Sequence, residues 1–363
     1  MDRNAENYCL ILAGGKGRRL WPCSREAMPK QFIDFFGMGQ TQLQQTYNRF
    51  AAIVPKNNIL VSTNQEYAGF VREQLPELPE ENIIAEPIFR NTAPSVAWGC
   101  FRIRRRCSTA RVIVTPSDQM VFNEEAFRHN VLEGLEFVAE NDSMLAMGVK
   151  PTRPEPGYGY IQLGDDTPHE GISRVKSFTE KPEREFARMF MDSGEFYWNT
   201  GMYLASVDVL VENLHNLLPQ VMYHLDDTGV ILSLAEEQEY VRENFPRYPN
   251  LSIDSGILEK SPGVYVMHSD FGWADLGTWH SAYEAMRRQE GDNVVIDSEV
   301  LMEDSRNNIV KIPSDHLAVI NGLDGYIVAE QGNVLFICKK EDSSALVRKY
   351  VNEVGIKYGK DYI

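Results

Sequence analysis

The chain has 363 residues, of which 43% are hydrophobic and 24% are charged. These proportions exclude a disordered or fibrous chain, and the length suffices for one large domain and a smaller one. The formal net charge of -16 disfavours a dedicated nucleic-acid-binding protein, because such a protein needs a broad basic face.

The sequence predicts neither a membrane span nor a signal peptide. No run of 18 apolar residues occurs, and the first residues are polar. We therefore expect a cytoplasmic protein without a membrane partner. The five cysteines are odd in number and include no Cys-x-x-Cys pair, which argues against a disulfide framework and a structural zinc site.

A glycine-rich basic segment at residues 12–31 directly follows the first predicted strand, at residues 8–12. Gly14, Gly15 and Gly17 lack the side chains that would keep the backbone away from a phosphate, so backbone N–H groups there can bind anions. Against one acid, Glu26, the segment carries five basic residues: Lys16, Arg18, Arg19, Arg25 and Lys30. It predicts a phosphate-binding loop.

Two better-known glycine motifs do not fit this segment. A Walker A loop needs Gly-Lys-Ser/Thr after four intervening residues, and the dinucleotide-binding fingerprint needs a small residue where this chain has Leu20. Glycines alone would leave open a tight turn with solvated basic side chains.

Further apolar, β-branched runs alternate with helical patterns such as residues 42–53. The runs lie at residues 59–61, 83–85, 112–115 and 145–149. This alternation is typical of a parallel sheet covered by helices on both faces, in which ligands bind beyond the carboxyl ends of the strands. We therefore expect the glycine loop and residues 116–118 to line one crevice. The arginines at the end of a helix predicted over residues 92–106 are interpreted as solvated, at the negative end of the helix dipole.

The last part of the chain has a different pattern. Short strand-like runs separated by Asn, Asp and Gly turns precede a helix predicted at residues 343–354. The runs lie at residues 294–296, 309–312, 317–320, 326–329 and 334–338. We predict a first domain over residues 1–288 and a β-rich C-terminal domain over residues 289–363 that serves assembly.

The segment 12–31 resembles the signature G-G-x-G-x-R-L-x-P-L-S-x-x-x-x-P-K of nucleotidyltransferases that activate sugar 1-phosphates. Every element is kept except the Leu, which is Cys23. Later segments resemble the mannose-1-phosphate guanylyltransferase family in particular. They are EPIFRNTAP (86–94), TPSDQ (115–119), GYGYI (157–161), FTEKP (178–182), WNTGMY (198–203) and WADLGTW (273–279). Their order along the chain is more specific than any single segment.

The resemblance implies both a fold and a reaction. The fold is α/β: a Rossmann-like, GT-A-type mixed sheet flanked by helices, followed by a small β-rich domain like a left-handed β-helix that helps to form homodimers. The reaction is the transfer of GMP from GTP to α-D-mannose 1-phosphate, which gives GDP-mannose and pyrophosphate. The same chemistry with another sugar or base, such as a GDP-heptose or a UDP- or CDP-sugar, stays open.

For the nucleotide, the resemblance implies that Arg19 and Lys30 act as catalytic residues that neutralise the triphosphate. It implies nucleotide contacts for Leu12, Ala13, Gly14, Gly15, Lys16, Gly17, Asn91, Thr92, Ser117 and Asp118. From the residues alone, Arg19 and Lys30 could be solvated. Asn91 and Thr92 could equally cap the helix that follows.

The resemblance also implies that Asp118 and Asp275 jointly hold a divalent cation. Carboxylate oxygens suit Mg²⁺, which usually shares its ligand shell with phosphates and water. From the residues alone, Asp118 could be a helix cap and Asp275 a turn residue. The family His after the first Asp is Gln119 here, which leaves the role of that His in doubt.

For the sugar, the resemblance implies contacts from Gly159, Glu180, Asn199 and Asp275, and a catalytic contact of Lys181 with the sugar phosphate. An ordinary exposed ion pair is the alternative for Glu180 and Lys181. Turn chemistry is the alternative for Gly159 and Asn199.

A different class of function is that of a catalytically silent regulatory protein that binds sugar nucleotides. Such relatives commonly lose the basic loop or an acid of the metal site. This chain keeps Arg19, Lys30, Asp118 and Asp275, which favours the enzyme.

Overall fold

The computed structural model describes residues 3–167, 169–221, 233–341 and 343–363. Contacts between these residues divide the chain into two compact units. Unit 1 comprises Met1–Gly14, Tyr47–Ser117 and Val121–Trp273, and unit 2 comprises Gly15–Thr46, Asp118–Met120 and Ala274–Ile363. The domain boundary between residues 288 and 289 stays a prediction.

The described strands are, in chain order, β1 Asn7–Leu12, β2 Ile59–Asn64, β3 Ile83–Glu86, β4 Arg111–Pro116, β5 Gln119–Val121, β6 Met144–Val149, β7 Gly159–Asp166, β8 Ile172–Thr179, β9 Phe196–Ser206, β10 Val264–Ser269, β11 Trp273–Asp275, β12 Val294–Val295, β13 Glu299–Glu303, β14 Ile309–Lys311, β15 Leu317–Asn321, β16 Tyr326–Gln331 and β17 Val334–Lys339. The described α-helices are α1 Gln42–Ala51, α2 Ala68–Gln74, α3 Thr92–Arg106, α4 Glu124–Glu140, α5 Arg184–Ser193, α6 Val207–Leu217, α7 Leu234–Asn244, α8 Trp279–Met286 and α9 Ser343–Tyr358. None of these helices has the length and apolar content that crossing a bilayer requires.

Unit 1 contains a nine-stranded mixed sheet with the order β3-β2-β1-β4-β9-β6-β10-β8-β7. Leu12 at the end of β1 pairs in parallel with Ser62 of β2 and with Pro116 of β4. β9 runs antiparallel to both β4 and β6. The mixed sheet implied by the family resemblance is therefore confirmed. The strands predicted from the alternation, β1 to β4 and β6, all point the same way, but the sheet is not purely parallel, because β9 lies antiparallel between β4 and β6. Hydrophobic periodicity reports burial and carries no information on strand direction.

The core of unit 1 encloses β1, whose residues Cys9, Leu10 and Ile11 are fully buried. Helix α3 packs closely on this strand at Gly99. A Cβ at that position would lie 2.5 Å from Leu10 Cδ2, so only glycine allows this approach. The packing fixes the end of β1, where the glycine loop begins.

Helix α3 has the predicted bounds, but the expectation that its arginines are all solvated is wrong for Arg102. This side chain is 4% exposed, and its Nε donates to Glu237 Oε1 of α7 at 2.5 Å. The Trp98 indole N–H donates to the same oxygen. Arg104 to Arg106 are exposed, as expected. The spacing along α3 could not show that an acid from a distant helix would pair with Arg102.

The strands after residue 292 form parallel stacks in unit 2. β14 lies between β12 and β16 and is parallel to both, and β13 is parallel to β15. β17 closes the first stack as an antiparallel strand. Stacked parallel strands joined by short turns make this region β-helix-like, as the resemblance implied. The strand β13 was not predicted, because its apolar run is only three residues long, Val300 to Met302, between two exposed glutamates.

The core of unit 2 joins the chain after the glycine loop to these strands. The Trp21 indole N–H donates to the Tyr362 carbonyl at 2.7 Å, and the Trp279 indole N–H donates to the Trp21 carbonyl at 3.0 Å. Other members of this core are Leu20, Cys23, Phe35, Leu276, Ile309, Ile327, Phe336 and Val347. The segment that carries Arg19 and Lys30 therefore packs on the β-rich region.

Candidate functional site

The start of the glycine loop is fixed in unit 1 by hydrogen bonds at the ends of β2 and β4. The Ala13 N–H donates to the Ser62 carbonyl at 2.7 Å, and the Thr63 hydroxyl donates to the Ala13 carbonyl at 2.9 Å. The Ser117 N–H donates to the Leu12 carbonyl at 3.1 Å. Predicted nucleotide-binding residues at the ends of β1 and β4 are therefore adjacent, as parallel pairing requires.

The loop itself leaves room for a ligand at two glycines and is closely packed at a third. A Cβ at Gly14 or Gly15 would meet no atom within 4 Å. Gly17 has φ 61°, and a Cβ there would lie 2.3 Å from Ser24 Oγ. The Gln31 side-chain amide donates to the Gly15 carbonyl at 2.8 Å. The loop thus folds back onto the segment that leads to Lys30.

Lys30 brings the two predicted metal-binding carboxylates together in unit 2. Its side chain is buried, with Nζ 2.7 Å from Asp118 Oδ2 and 3.9 Å from Asp275 Oδ1. Asp118 is not a helix cap, because α4 begins at Glu124 and Asn123 caps it. A Cβ at Gly277 would lie 2.9 Å from Arg19 Nη2 and 3.1 Å from Asp275 Oδ1, so Gly277 lets these groups approach.

The donor set of this cluster fits a divalent cation that shares its ligands with a substrate. Two carboxylates share one buried ammonium, so one negative charge is left uncompensated, and a cation beside them would balance it. No closed group of three or more His, Cys, Asp or Glu side chains that could hold a metal occurs within the described ranges. Mg²⁺ is commonly bound by one or two carboxylates, with phosphate and water oxygens completing its shell.

The predicted sugar-binding residues come together in unit 1. Gly159 of β7 pairs with Asn199 of β9, and a Cβ at Gly159 would lie 2.9 Å from Glu180 Oε2. Lys181 forms an ion pair with Glu180, and both side chains are about half exposed. The ion pair is the structural alternative raised for these two residues, and their substrate contacts stay a prediction.

Asp254 belongs to the same cluster and was missed by the sequence analysis. Its Oδ1 accepts a hydrogen bond from Asn199 Nδ2 at 3.0 Å. Burial raises the pKa of the Asp254 carboxyl, and the nearby charge of Glu180 adds to this, against the opposing effects of the Asn199 hydrogen bond and Lys181. No local pattern marked this residue, because a single Asp among mixed serine, glycine and apolar residues has no distinctive spacing.

Asn91 and Thr92 organise the segment before Asp254. Asn91 has φ 64°, and its side chain caps α3 by accepting from the Thr92 N–H at 2.9 Å. The Thr92 hydroxyl accepts from the Ile253 N–H at 2.8 Å. Capping, one of the alternatives left open, is thus present for Asn91, and Thr92 is the first helical residue. Their nucleotide contacts stay a prediction.

A second buried carboxyl, Glu86, lies at the end of β3. Its Oε1 accepts from the Ser62 hydroxyl at 2.6 Å. Burial raises the pKa of Glu86 to about 7, although hydrogen bonds from Ser62 and Ser95 oppose the shift. No role was predicted for Glu86, which is the first residue of the family segment at 86–94.

Comparisons with known proteins show the family of the chain. The Nucleotidyl transferase family matches residues 8–291. Mannose-1-phosphate guanylyltransferase of Escherichia coli is 30% identical over 97% of this chain and 76% of its own length. The alginate biosynthesis protein AlgA of Pseudomonas syringae pv. tomato is 34% identical over 92% of this chain and 68% of its own length.

The fold has a close counterpart among solved structures. The crystal structure of a Thermus thermophilus protein named mannose-1-phosphate geranyltransferase is 29% identical, with a TM-score of 0.85 over 96% of this chain and 99% of that one. The chain therefore belongs to the nucleotidyl transferase family and, within it, to the mannose-1-phosphate guanylyltransferases, enzymes that join a nucleotide to a sugar 1-phosphate.

Proposed function

We propose that this enzyme transfers GMP from GTP to α-D-mannose 1-phosphate, giving GDP-mannose and pyrophosphate, with Mg²⁺ or another divalent cation. The observation that carries the proposal is the convergence of Asp118 and Asp275 on Lys30. This cluster combines acids that suit a cation with a lysine that suits a polyphosphate. The names of the relatives support guanine and mannose.

The reaction exchanges one phosphoric anhydride bond for another. An oxygen of the sugar phosphate attacks the α-phosphorus of GTP, and the bond from that phosphorus to the β-phosphate oxygen breaks. The leaving pyrophosphate keeps the electron pair. The attacking phosphate monoester has a second pKa of about 6, so it is largely dianionic at neutral pH and needs no strong base. Catalysis is then mainly positioning and charge neutralisation.

Unit 2 supplies the positive charge. Lys30 acts as a point charge, and Arg19 can bind two phosphate oxygens with its planar fork. Backbone N–H groups of the glycine loop bind further phosphate oxygens. Asp118 and Asp275 would hold the cation, which would act as a Lewis acid on the phosphate oxygens.

Unit 1 supplies groups that suit a sugar phosphate. Glu180 and Asp254 can accept hydrogen bonds from hydroxyls, and Asn199 can both donate and accept. Lys181 would exchange its ion pair with Glu180 for the sugar phosphate. Exposed ion pairs contribute only about 0 to 1 kcal/mol, so this exchange costs little.

The proposed homodimer would use the outer face of β13 and β15. Leu301 and Val319 are paired across these strands, and with Leu317 they form an apolar face more than half exposed. The inner face of the same strands packs on Val310, Ile312 and Val328. A second copy can cover such a face by a symmetric contact of like with like.

The substrates are tested by offering the protein each nucleoside triphosphate with each of several sugar 1-phosphates and Mg²⁺. Products are identified by mass, and pyrophosphate is measured. GTP with α-D-mannose 1-phosphate is expected to give GDP-mannose at the highest kcat/KM. A higher kcat/KM with a heptose 1-phosphate, or with UTP or CTP, would replace the proposed substrates. No product with any pair would favour a silent regulator.

A further inference from the structure

The residues Gly159, Glu180, Asn199 and Asp254 are called the sugar-side cluster below. The turn before Gly159 is held by a group of side chains to which neither the family signature nor the proposed function gives a role. Arg153, Glu155, Tyr158 and Trp198 form this group, which we call the Arg153 bracket. The Arg153 Nε and Nη2 both donate to Glu155 Oε2 at 3.3 Å. The guanidinium carbon lies 5.2 Å from the centre of the Trp198 ring and 5.8 Å from that of Tyr158.

Each side of the bracket ends next to a predicted sugar contact. Trp198 directly precedes Asn199 in β9, and Tyr158 directly precedes Gly159 in β7. The rings of Tyr158 and Trp198 meet edge to face, with centroids 5.2 Å apart. Arg153 therefore contacts the residues immediately before Gly159 and Asn199, which in turn approach Glu180 and Asp254.

Glu155 fixes the turn between Arg153 and Gly159. The residue is 4% exposed, and its carboxylate accepts from the Gly157 N–H at 3.1 Å through Oε1. The Glu155 N–H donates to the fully buried Tyr160 hydroxyl at 3.0 Å. With Oε2 on Arg153 and Oε1 on Gly157, this carboxylate holds the turn at both ends.

We propose that the Arg153 bracket is a positioning device for the sugar phosphate: it sets the distance between Gly159 and Asn199 without touching the substrate. The proposal rests on the proposed function of the sugar-side cluster. The Glu155 side chain is buried and that of Arg153 is partly buried. An ion pair withdrawn from water contributes little net stability by comparison with an apolar pair of similar size, whereas its fixed geometry holds backbone segments in register. The planar guanidinium is suited to this because it stacks on rings and pairs with a carboxylate at once.

The test compares three full-length variants, Arg153→Met, Glu155→Gln and the double variant, with the wild-type protein. Each single change is expected to raise KM for α-D-mannose 1-phosphate about tenfold while KM for GTP stays within about twofold, because misplaced contacts weaken binding of one substrate. Arg72→Met is the matched control, since Arg72 also pairs with a glutamate, Glu80, but at an exposed site. It should change neither KM.

A merely structural role predicts a different result. The double variant removes both charges and should recover much of the melting temperature lost in Arg153→Met, because no buried charge is left without a partner. If KM for the sugar phosphate recovers with the melting temperature, the bracket only stabilises the fold and the proposal is wrong. If it stays raised, positioning is supported.

Hydrogen exchange gives a readout that does not depend on turnover. Peptides covering residues 155–163 should exchange faster in Arg153→Met than in the wild type, whereas peptides from β1 should not. Unchanged exchange would overturn the bracket itself. Failure of the proposed function would appear separately, as a wild-type protein that forms no product, and the positioning role would fall with it.

Discussion

The two units hold four carboxyl groups at or near the candidate site residues in opposite ways. In unit 2, Asp118 and Asp275 both lie within ion-pair distance of the Lys30 ammonium. In unit 1, Glu86 and Asp254 form no ion pair with any described residue, and burial raises the pKa of both. Their hydrogen-bonding partners are neutral: the hydroxyls of Ser62 and Ser95 for Glu86, and the Asn199 amide for Asp254.

This difference separates two kinds of chemistry. Carboxylates beside a cationic side chain suit a metal ion that is shared with a polyphosphate. Carboxyl groups whose hydrogen-bonding partners are neutral can bind the neutral hydroxyl groups of a ligand, or they stabilise the fold. Charge-removing substitutions should therefore damage turnover in unit 2 and change binding or stability in unit 1.

The largest expected effect is on the acids of unit 2. Asp118→Asn and Asp275→Asn should each lower kcat about 10³-fold, because the amide keeps the shape but loses the charge that holds a cation. Removing divalent ions with a chelator should abolish turnover, and added Mg²⁺ should restore it. Pyrophosphate release is measured alongside circular dichroism, with the exposed Asp208→Asn as control. A folded variant with near-wild-type activity would reject that residue as an essential ligand.

The stability of unit 2 is tested at the core in which the chain after the glycine loop packs on the β-rich region. Trp21→Ala should lower the free energy of unfolding by about 4 kcal/mol, because it empties a buried site and removes the bond to the Tyr362 carbonyl. Trp21→Phe keeps most of the packing and should cost much less. Urea unfolding measures both. Equal losses would show that ring packing is not what joins the two segments.

The raised pKa of Glu86 predicts that the free energy of unfolding depends on pH. Its pKa of about 7 in the folded chain lies above the ordinary 4.5, so the folded state binds this proton more tightly. The stability it contributes is present below pH 4.5 and is lost as the pH rises to about 7, by about 3 kcal/mol at about 1.4 kcal/mol per tenfold in proton affinity.

Glu86→Gln stays neutral and should lack this loss. The free energy of unfolding of variant and wild type is measured from pH 4.5 to pH 8, and the variant should gain on the wild type across that range. A difference that does not change with pH would show that Glu86 is not held in an unfavourable charged state.

The two lysines test whether the units serve different substrates. Lys30→Ala should impair use of GTP, and Lys181→Ala should raise KM for the sugar phosphate about tenfold, since each removes one charge-assisted contact. Steady-state kinetics in which each substrate is varied in turn separate the effects. Equal losses on both substrates for both variants would show that the two units do not serve different substrates.

The smallest effect on the folded chain is expected at the outer face of β13 and β15. Val319→Lys should change stability by less than about 0.5 kcal/mol, because the side chain is exposed. It should turn a dimer into a monomer as seen by light scattering. A wild-type protein that is already monomeric at micromolar concentration would refute the proposed assembly.

Much of the fold was accessible from local patterns. The bounds of α3 and the positions of β1 to β4 follow from periodicity, because a buried strand or helix face needs apolar residues at a fixed spacing. Strand direction was not accessible from these patterns, so the antiparallel direction of β9 was not predicted. The β-rich tail was predicted, but its packing on the segment around Trp21 was not.

The candidate site divides in the same way. The sequence by itself determined the glycine loop, the basic residues and, through the family resemblance, the pair Asp118 and Asp275. Only the tertiary structure decided that Lys30 lies between those acids, that Asp254 joins Asn199, and that Glu237 pairs with Arg102. The physical reason is that sequence spacing fixes only local geometry, whereas these contacts join residues 55 to more than 130 positions apart, which only packing brings together.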